Sequence, residues 1–105
     1  ISESEIALCR KNGVTDIVEV PIGYDGIVLA NPKGAKRLQL TKKHIFMALA
    51  KELPGKDGTL GPNAYTHWNQ IDPVLPHAKI TVYGPPPTSG TRDAFVELVM
   101  ETGCK

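Results

Sequence analysis

Residues 89 to 92, Ser-Gly-Thr-Arg, combine the side-chain types that hold a small oxyanion. Ser89 and Thr91 offer hydroxyl donors, and the planar guanidinium of Arg92 can grip two oxygens at once. Gly90 lacks a Cβ, so a ligand can come close to its backbone. Three prolines, residues 85 to 87, precede this turn and restrict its backbone. Less conformational entropy is therefore lost when a ligand orders the site. The residue types therefore indicate an anion-binding turn.

The neighbouring elements would present this turn to a ligand. Residues 79 to 84 have the composition of a strand, and a helix is predicted to begin directly after the turn. The first amides of a helix have no internal partners, and the helix dipole favours an anion there. An ordinary helix cap is the alternative, since Ser, Thr and the following Asp93 are common at helix starts. The turn is not a nucleotide-binding P-loop, because the lysine of that motif is missing.

The remaining elements follow the order α-β-β-α-loop-β-α. The first helix begins at Ser2, which has capping-box spacing to Glu5, and ends at Asn12-Gly13. A second helix begins at the Thr41 cap and ends at Pro54-Gly55. Strands are predicted at 14–22, 27–31 and 79–84, an exposed loop at 54–64, and a last helix from Ser89 to Gly103. This alternation predicts an α/β fold with at least partly parallel strands.

Composition limits the class of protein. The 105 residues are 41% hydrophobic with a net charge of +1, which is typical of a globular domain. So small a net charge creates no global electrostatic field that would attract nucleic acid or an acidic membrane. No apolar run reaches the roughly 20 residues of a membrane helix. The first residue is Ile1, and the few predicted elements make a thin sheet, so we expect a piece of a longer protein. Cys9 and Cys104 leave a disulfide and two inert buried thiols equally open.

Other residues that could carry chemistry favour ordinary roles. His44, His67 and His77 have no metal-ligand spacing, so no metal site is expected. Trp68 and Tyr65 are better explained by packing than by ligand stacking. The segment "KGAKR", residues 33 to 37, either steers anions or forms a solvated loop, and Tyr24-Asp25-Gly26 is typical of a β-turn.

Four segments in this order resemble a known family: "GYDGIVLAN", "IFMALA", "WNQIDPVLP" and "ITVYGPPPTSGTRDAF". The chain resembles, over nearly its whole length, the central part of the substrate-binding proteins of phosphate ABC transporters. The resemblance implies a two-lobed periplasmic-binding-protein fold of type II, with a mixed sheet flanked by helices. It further implies a periplasmic or extracellular protein without enzymatic activity or cofactor. Such a protein holds inorganic phosphate in its cleft and delivers it to a membrane permease, and it is only peripheral to the membrane.

The resemblance also assigns individual residues. Ser89, Gly90 and Thr91 match the phosphate-binding turn of the family, and Arg92 matches the arginine of the subgroup that reads "SGTRD". Other members place their arginine four residues before the serine, where this chain has Pro85. By the same comparison, residues 1 to 78 belong to the first lobe and residues 79 to 105 open the second. The family's N-terminal phosphate ligands have no counterpart here, so half of a site is expected.

Two functions of other classes stay open from the residues alone. A hydrolase of phosphate esters would use Ser89 as nucleophile, although the sequence assigns no base to it. A non-catalytic interaction module would use residues 89 to 92 only as a helix cap.

Overall fold

The computed structural model describes residues 1–105, in which helices dominate. The helices are α1 (Glu3–Lys11), α2 (Lys42–Leu49), α3 (Trp68–Ile71), α4 (Gly90–Phe95) and α5 (Thr102–Cys104), and a π-helical segment (Val96–Glu101) joins α4 to α5. Two short strands, β1 (Glu52–Pro54) and β2 (Leu60–Pro62), form the one sheet. No helix has the length and apolar character needed to cross a membrane.

Helix α1 forms as its sequence predicts. The Glu5 amide donates to Ser2 Oγ at 3.2 Å, and the Ser2 amide donates to Glu5 Oε2 at 3.0 Å, which completes the capping box. Gly13 follows the helix with φ of +84°, in the left-handed region that closes a last turn. The predicted start and end of this helix are therefore confirmed.

Helix α2 begins at the predicted cap but ends earlier than expected. The His44 amide donates to Thr41 Oγ1 at 3.1 Å, and the Thr41 amide donates to His44 Nδ1 at 3.2 Å. At the other end, Asn63 Nδ2 donates to the carbonyls of Met47 at 2.7 Å and Ala50 at 2.8 Å. Ala50 is already extended, so the helix stops at Leu49 rather than at Pro54.

The segment after α2 forms a hairpin where a loop is predicted. Strands β1 and β2 pair antiparallel, with Leu53 opposite Gly61. Asp57 Oδ1 accepts hydrogen bonds from the Thr59 amide at 3.1 Å and the Thr59 hydroxyl at 2.7 Å, and Gly58 has φ of +80°. This local network organises the turn between the strands, which composition alone did not reveal.

The three predicted strands are not formed as strands within residues 1–105, although the helices and the one small antiparallel sheet are consistent with the predicted α/β class. Residues 14–31 and 81–86 have no regular secondary structure, and residues 15–31 form no backbone–backbone hydrogen bonds. Only the beginning of the third segment pairs, through a bridge between Lys79 and His67 and a 2.8 Å bond from the Ile80 amide to the Thr66 carbonyl. A strand requires a neighbour for its ladder, and these apolar segments have none within the chain.

Packing is concentrated where α2 meets α3, the π-helical segment and α5. Ile45, Trp68 and Leu75 are the buried hydrophobic side chains, each at most 7% exposed. His44 Nε2 lies 3.2 Å from Asp72 Oδ2 and links α2 to the residue that follows α3. The radius of gyration is 18.0 Å, against about 13 Å for a compact domain of this length. The chain therefore has a small core with extended segments around it.

Gly103 and the first turn of α2 approach each other closely in this core. Gly103 is buried, and a Cβ there would stand 2.8 Å from the carbonyl carbon of Lys42 and 3.0 Å from Phe46 Cβ. Glycine at this position therefore lets the end of the last helix pack directly on the first turn of α2.

Candidate functional site: the Ser89–Arg92 turn

Ser89 is the N-cap of α4, as the sequence predicts. Its backbone is extended, with φ of −87° and ψ of 132°, and its Oγ accepts a hydrogen bond from the Thr91 amide at 3.2 Å. The Ser89 carbonyl accepts from the amides of Arg92 at 3.1 Å and Asp93 at 3.3 Å, while the Ser89 amide donates to the Pro86 carbonyl at 3.0 Å. The serine thus supports the turn chiefly through local bonds.

Two donors in the turn have no partner within the chain. The Gly90 amide and the Thr91 hydroxyl form no hydrogen bonds, and both residues are exposed. Adding a Cβ to Gly90 would meet no atom within 4 Å, so the backbone faces open space. These groups are free to donate to an anion that approaches from solvent.

The guanidinium of Arg92 folds back across the same turn. Its Nη1 donates to the Pro85 carbonyl at 3.1 Å, and Arg92 forms no salt bridge. A guanidinium has five N–H donors, so four remain for a ligand. The interaction between Arg92 and Pro85 joins residues seven positions apart, and no sequence pattern predicted it. It holds a cation beside the polyproline end of the turn.

The turn thus combines a free amide, a free hydroxyl and a positioned guanidinium, all open to solvent. Donors of this kind can hold tetrahedral oxyanions through charge-assisted hydrogen bonds. Asp93 lies in the first turn of the helix, where a carboxylate is favoured by the helix dipole. Ser89 forms no hydrogen bond with a histidine or a carboxylate in residues 1–105.

The remaining candidates from the sequence lie outside this turn. His67 and His77 stack with ring centroids 5.1 Å apart, and His44 pairs with Asp72. No group of three or more possible metal ligands comes together in the chain. Trp68 is only 7% exposed, so its packing role is confirmed.

The two cysteines are both free. The structure matches neither possibility left open by the sequence in full, because no disulfide forms and the thiols are not buried: Cys9 is half-buried and Cys104 is exposed. Cys104 lies at the far end of the helix that begins at Gly90 and lines an open hollow of about 410 Å³ with Phe46 and Met100. Glu101 and Lys105 also line this hollow, whose surface is otherwise mostly apolar.

Comparison with known proteins identifies the family. A family model described as the PBP superfamily domain matches residues 1–105. The chain is 36% identical over 101 residues to Protein SphX of Synechocystis sp. (strain ATCC 27184 / PCC 6803 / Kazusa), and 25% identical over 100 residues to Protein SphX of Synechococcus elongatus. Each alignment covers 95% of this chain, which spans 27% of the length of either relative. No solved structure matches it significantly. The chain therefore belongs to the PBP superfamily.

Proposed function

We propose that this chain is part of a solute-binding protein that captures inorganic phosphate, with Ser89, Gly90, Thr91 and Arg92 forming one side of the site. The observation that carries the proposal is the exposed set of unpaired donors at residues 90 to 92 in a member of the PBP superfamily. A dianionic oxyanion would accept from the Gly90 amide and the Thr91 hydroxyl, and the guanidinium would neutralise part of its charge.

The proposal places the chain in a two-lobed fold of type II. Residues 1 to 78 would belong to the first lobe and residues 79 to 105 would open the second. The apolar segments that are unpaired here would then find strand neighbours in the rest of the fold. The second half of the phosphate site would come from outside residues 1 to 105, so that burial between the lobes supplies affinity and selectivity.

In the same proposal, the protein performs no chemistry on the anion. It would hold phosphate in a periplasmic or extracellular compartment and present it to the membrane permease of an ABC transporter. The turn suits this role because its ligands are donors and a fixed cation, without a nucleophile and base that act as a pair. Release would then require only that the lobes separate and the donors return to water.

Calorimetric titration with inorganic phosphate tests the proposal on the protein expressed from its complete reading frame. Arg92→Ala and Thr91→Val should each weaken binding, by about 1.5–3 kcal/mol for a charge-assisted hydrogen bond. Arg10→Ala and Thr15→Val are matched controls, since both residues are exposed and lie far from the turn in the sequence. Unchanged affinity in both turn variants would exclude the turn as a ligand, and absence of any phosphate binding would exclude the function.

A further inference from the structure

The charge of this chain is strongly divided along its length. Residues 26 to 51 contain six of the twelve Lys and Arg residues and none of the eleven Asp and Glu residues. This segment therefore carries a charge of +6, and the rest of the chain carries −5. The near-neutral total hides this division, which composition alone does not reveal.

Five of these cations lie within the eleven residues from 33 to 43, which we call the basic segment. They are Lys33, Lys36, Arg37, Lys42 and Lys43, and all five are exposed. None of them forms a salt bridge, since the one ion pair of the molecule joins His44 to Asp72. The basic segment is thus an uncompensated positive surface.

Local structure holds the basic segment in place. The Ala35 amide donates to the Pro32 carbonyl at 3.0 Å, Asn31 Nδ2 donates to the Lys36 carbonyl at 3.3 Å, and Gly34 has φ of +91°. These contacts form a turn that carries three of the cations. The other two occupy the first turn of α2, whose N-terminus is capped by Thr41 and His44.

The placement of Lys42 and Lys43 is electrostatically unfavourable for α2 itself. The positive end of a helix dipole favours acidic residues, and α1 follows this rule with Glu3 and Glu5 in its first turn. Helix α2 has no acidic residue in its first turn and two lysines instead. Lysines at this end of a helix cost stability, and no contact here compensates for that cost. Residues that depart from a local preference in this way are expected to serve a function.

The α2 end of this surface is too distant to assist the Ser89–Arg92 turn. Gly103 packs against Lys42, whereas the turn lies at the opposite end of the helix that runs from Gly90 to Cys104. Thirteen helical residues span about 20 Å. Exposed charges are screened over about 8 Å at physiological ionic strength. Lys42, at the α2 end of the basic segment, is therefore separated from the proposed phosphate site by more than the screening length.

We propose that the basic segment is a docking surface for a membrane that contains acidic phospholipids. Four of its five cations are lysines, which are point charges suited to mobile headgroups rather than to fixed bidentate partners. It contains no aromatic residue for stacking on nucleic-acid bases and no buried aromatic anchor of the kind that centres a protein interface. Beside a membrane-spanning helix or on an amphipathic helix, a cluster of four to eight Lys and Arg residues is typical of binding to anionic lipid surfaces. Two of the five cations here lie on α2 and the other three in the turn that precedes it.

Vesicle co-sedimentation tests this surface on the protein expressed from its complete reading frame. We expect binding to vesicles of phosphatidylcholine with about 30 mol% phosphatidylglycerol, and none to phosphatidylcholine alone. Binding should fall at least about tenfold when the ionic strength rises from about 0.05 M to about 0.5 M. Replacing the five cations together by glutamine should likewise reduce binding at least about tenfold. Circular dichroism checks that the variant retains its helices.

The matched control replaces Arg10, Lys11, Lys56, Lys79 and Lys105 by glutamine. It removes the same charge from exposed positions outside the basic segment and should retain vesicle binding. Equal loss in both variants, or equal binding to both vesicle types, would overturn the proposal. Binding to immobilised polyglutamate without binding to acidic vesicles would also overturn it and would assign the surface to an acidic protein. Phosphate titration of the basic-segment variant should be unchanged, which separates this proposal from the proposed function.

Discussion

The guanidinium of Arg92 donates a 3.1 Å hydrogen bond from Nη1 to the carbonyl of Pro85. Position 85 is where some members of the family that this sequence resembles carry their arginine. The hydrogen bond therefore places the Arg92 guanidinium next to the Pro85 carbonyl, although residue 85 itself carries no charge. The bond spans residues 86 to 91 and fixes the guanidinium at the start of the turn.

This geometry predicts that lysine cannot replace Arg92 in phosphate binding. Arginine can bond to Pro85 and still offer two parallel N–H groups, whereas an ammonium has three donors on a flexible stem. If Arg92→Ala costs about 1.5–3 kcal/mol, Arg92→Lys should recover less than half of that loss in calorimetric titration. Complete recovery would show that only the charge matters, and that the fork geometry of the guanidinium does not.

Local patterns predicted the helical part of the fold. Ser2 with Glu5, Thr41 and Ser89 each mark a helix start, and each forms the cap that its residue type indicates. A helix cap forms between residues two or three positions apart, so a short stretch of sequence is enough to predict it. The predicted position of the candidate turn, at the start of the last helix, was right for the same reason.

Strands were poorly predicted because their stability depends on partners elsewhere. Residues 14–22 and 27–31 have the β-branched composition of strands, yet they pair with nothing in this chain. The hairpin of β1 and β2 was missed because its prolines and glycines resemble a loop. Asp57-Gly58 was the available signal, since this dipeptide is frequent in hairpin turns. Contacts such as Arg92 with Pro85 depend on side-chain direction, which a sequence pattern does not contain.

Asn63 should stabilise the end of α2. Its amide donates two short hydrogen bonds to the carbonyls of Met47 and Ala50, which have no further helical partners. We expect Asn63→Ala to lower the free energy of unfolding by about 1–3 kcal/mol, since it leaves part-buried acceptors unsatisfied. Urea unfolding followed by circular dichroism measures this. Asn31→Ala is the control, because Asn31 makes one exposed bond of 3.3 Å, and an equal effect would contradict the capping role.

Gly103 should not tolerate a side chain. A Cβ at this position would overlap the backbone of Lys42, and the last helix and α2 would have to separate. Overpacking of this kind costs about 1–3 kcal/mol, so Gly103→Ala should lower the midpoint of thermal unfolding. Gly26→Ala is the matched control, because Gly26 has no atom within 4 Å of its added Cβ and no positive φ. If Gly103→Ala unfolds at the same midpoint temperature as the unsubstituted protein, this close contact is not maintained in solution.

The hairpin turn should show a shifted carboxyl titration. The Thr59 hydroxyl, followed by the Thr59 amide, donates to Asp57 and lowers the pKa of this carboxyl below its usual 3.8. Because the folded pKa is depressed, the stabilising contribution is complete above about pH 3.8 and is lost as the pH falls through the folded pKa. Thr59→Val removes the hydroxyl and should raise the pKa of Asp57 in an NMR titration, whereas Thr59→Ser should keep it low. Identical Asp57 titrations in the two variants would show that the hydroxyl is not the main cause of the shift.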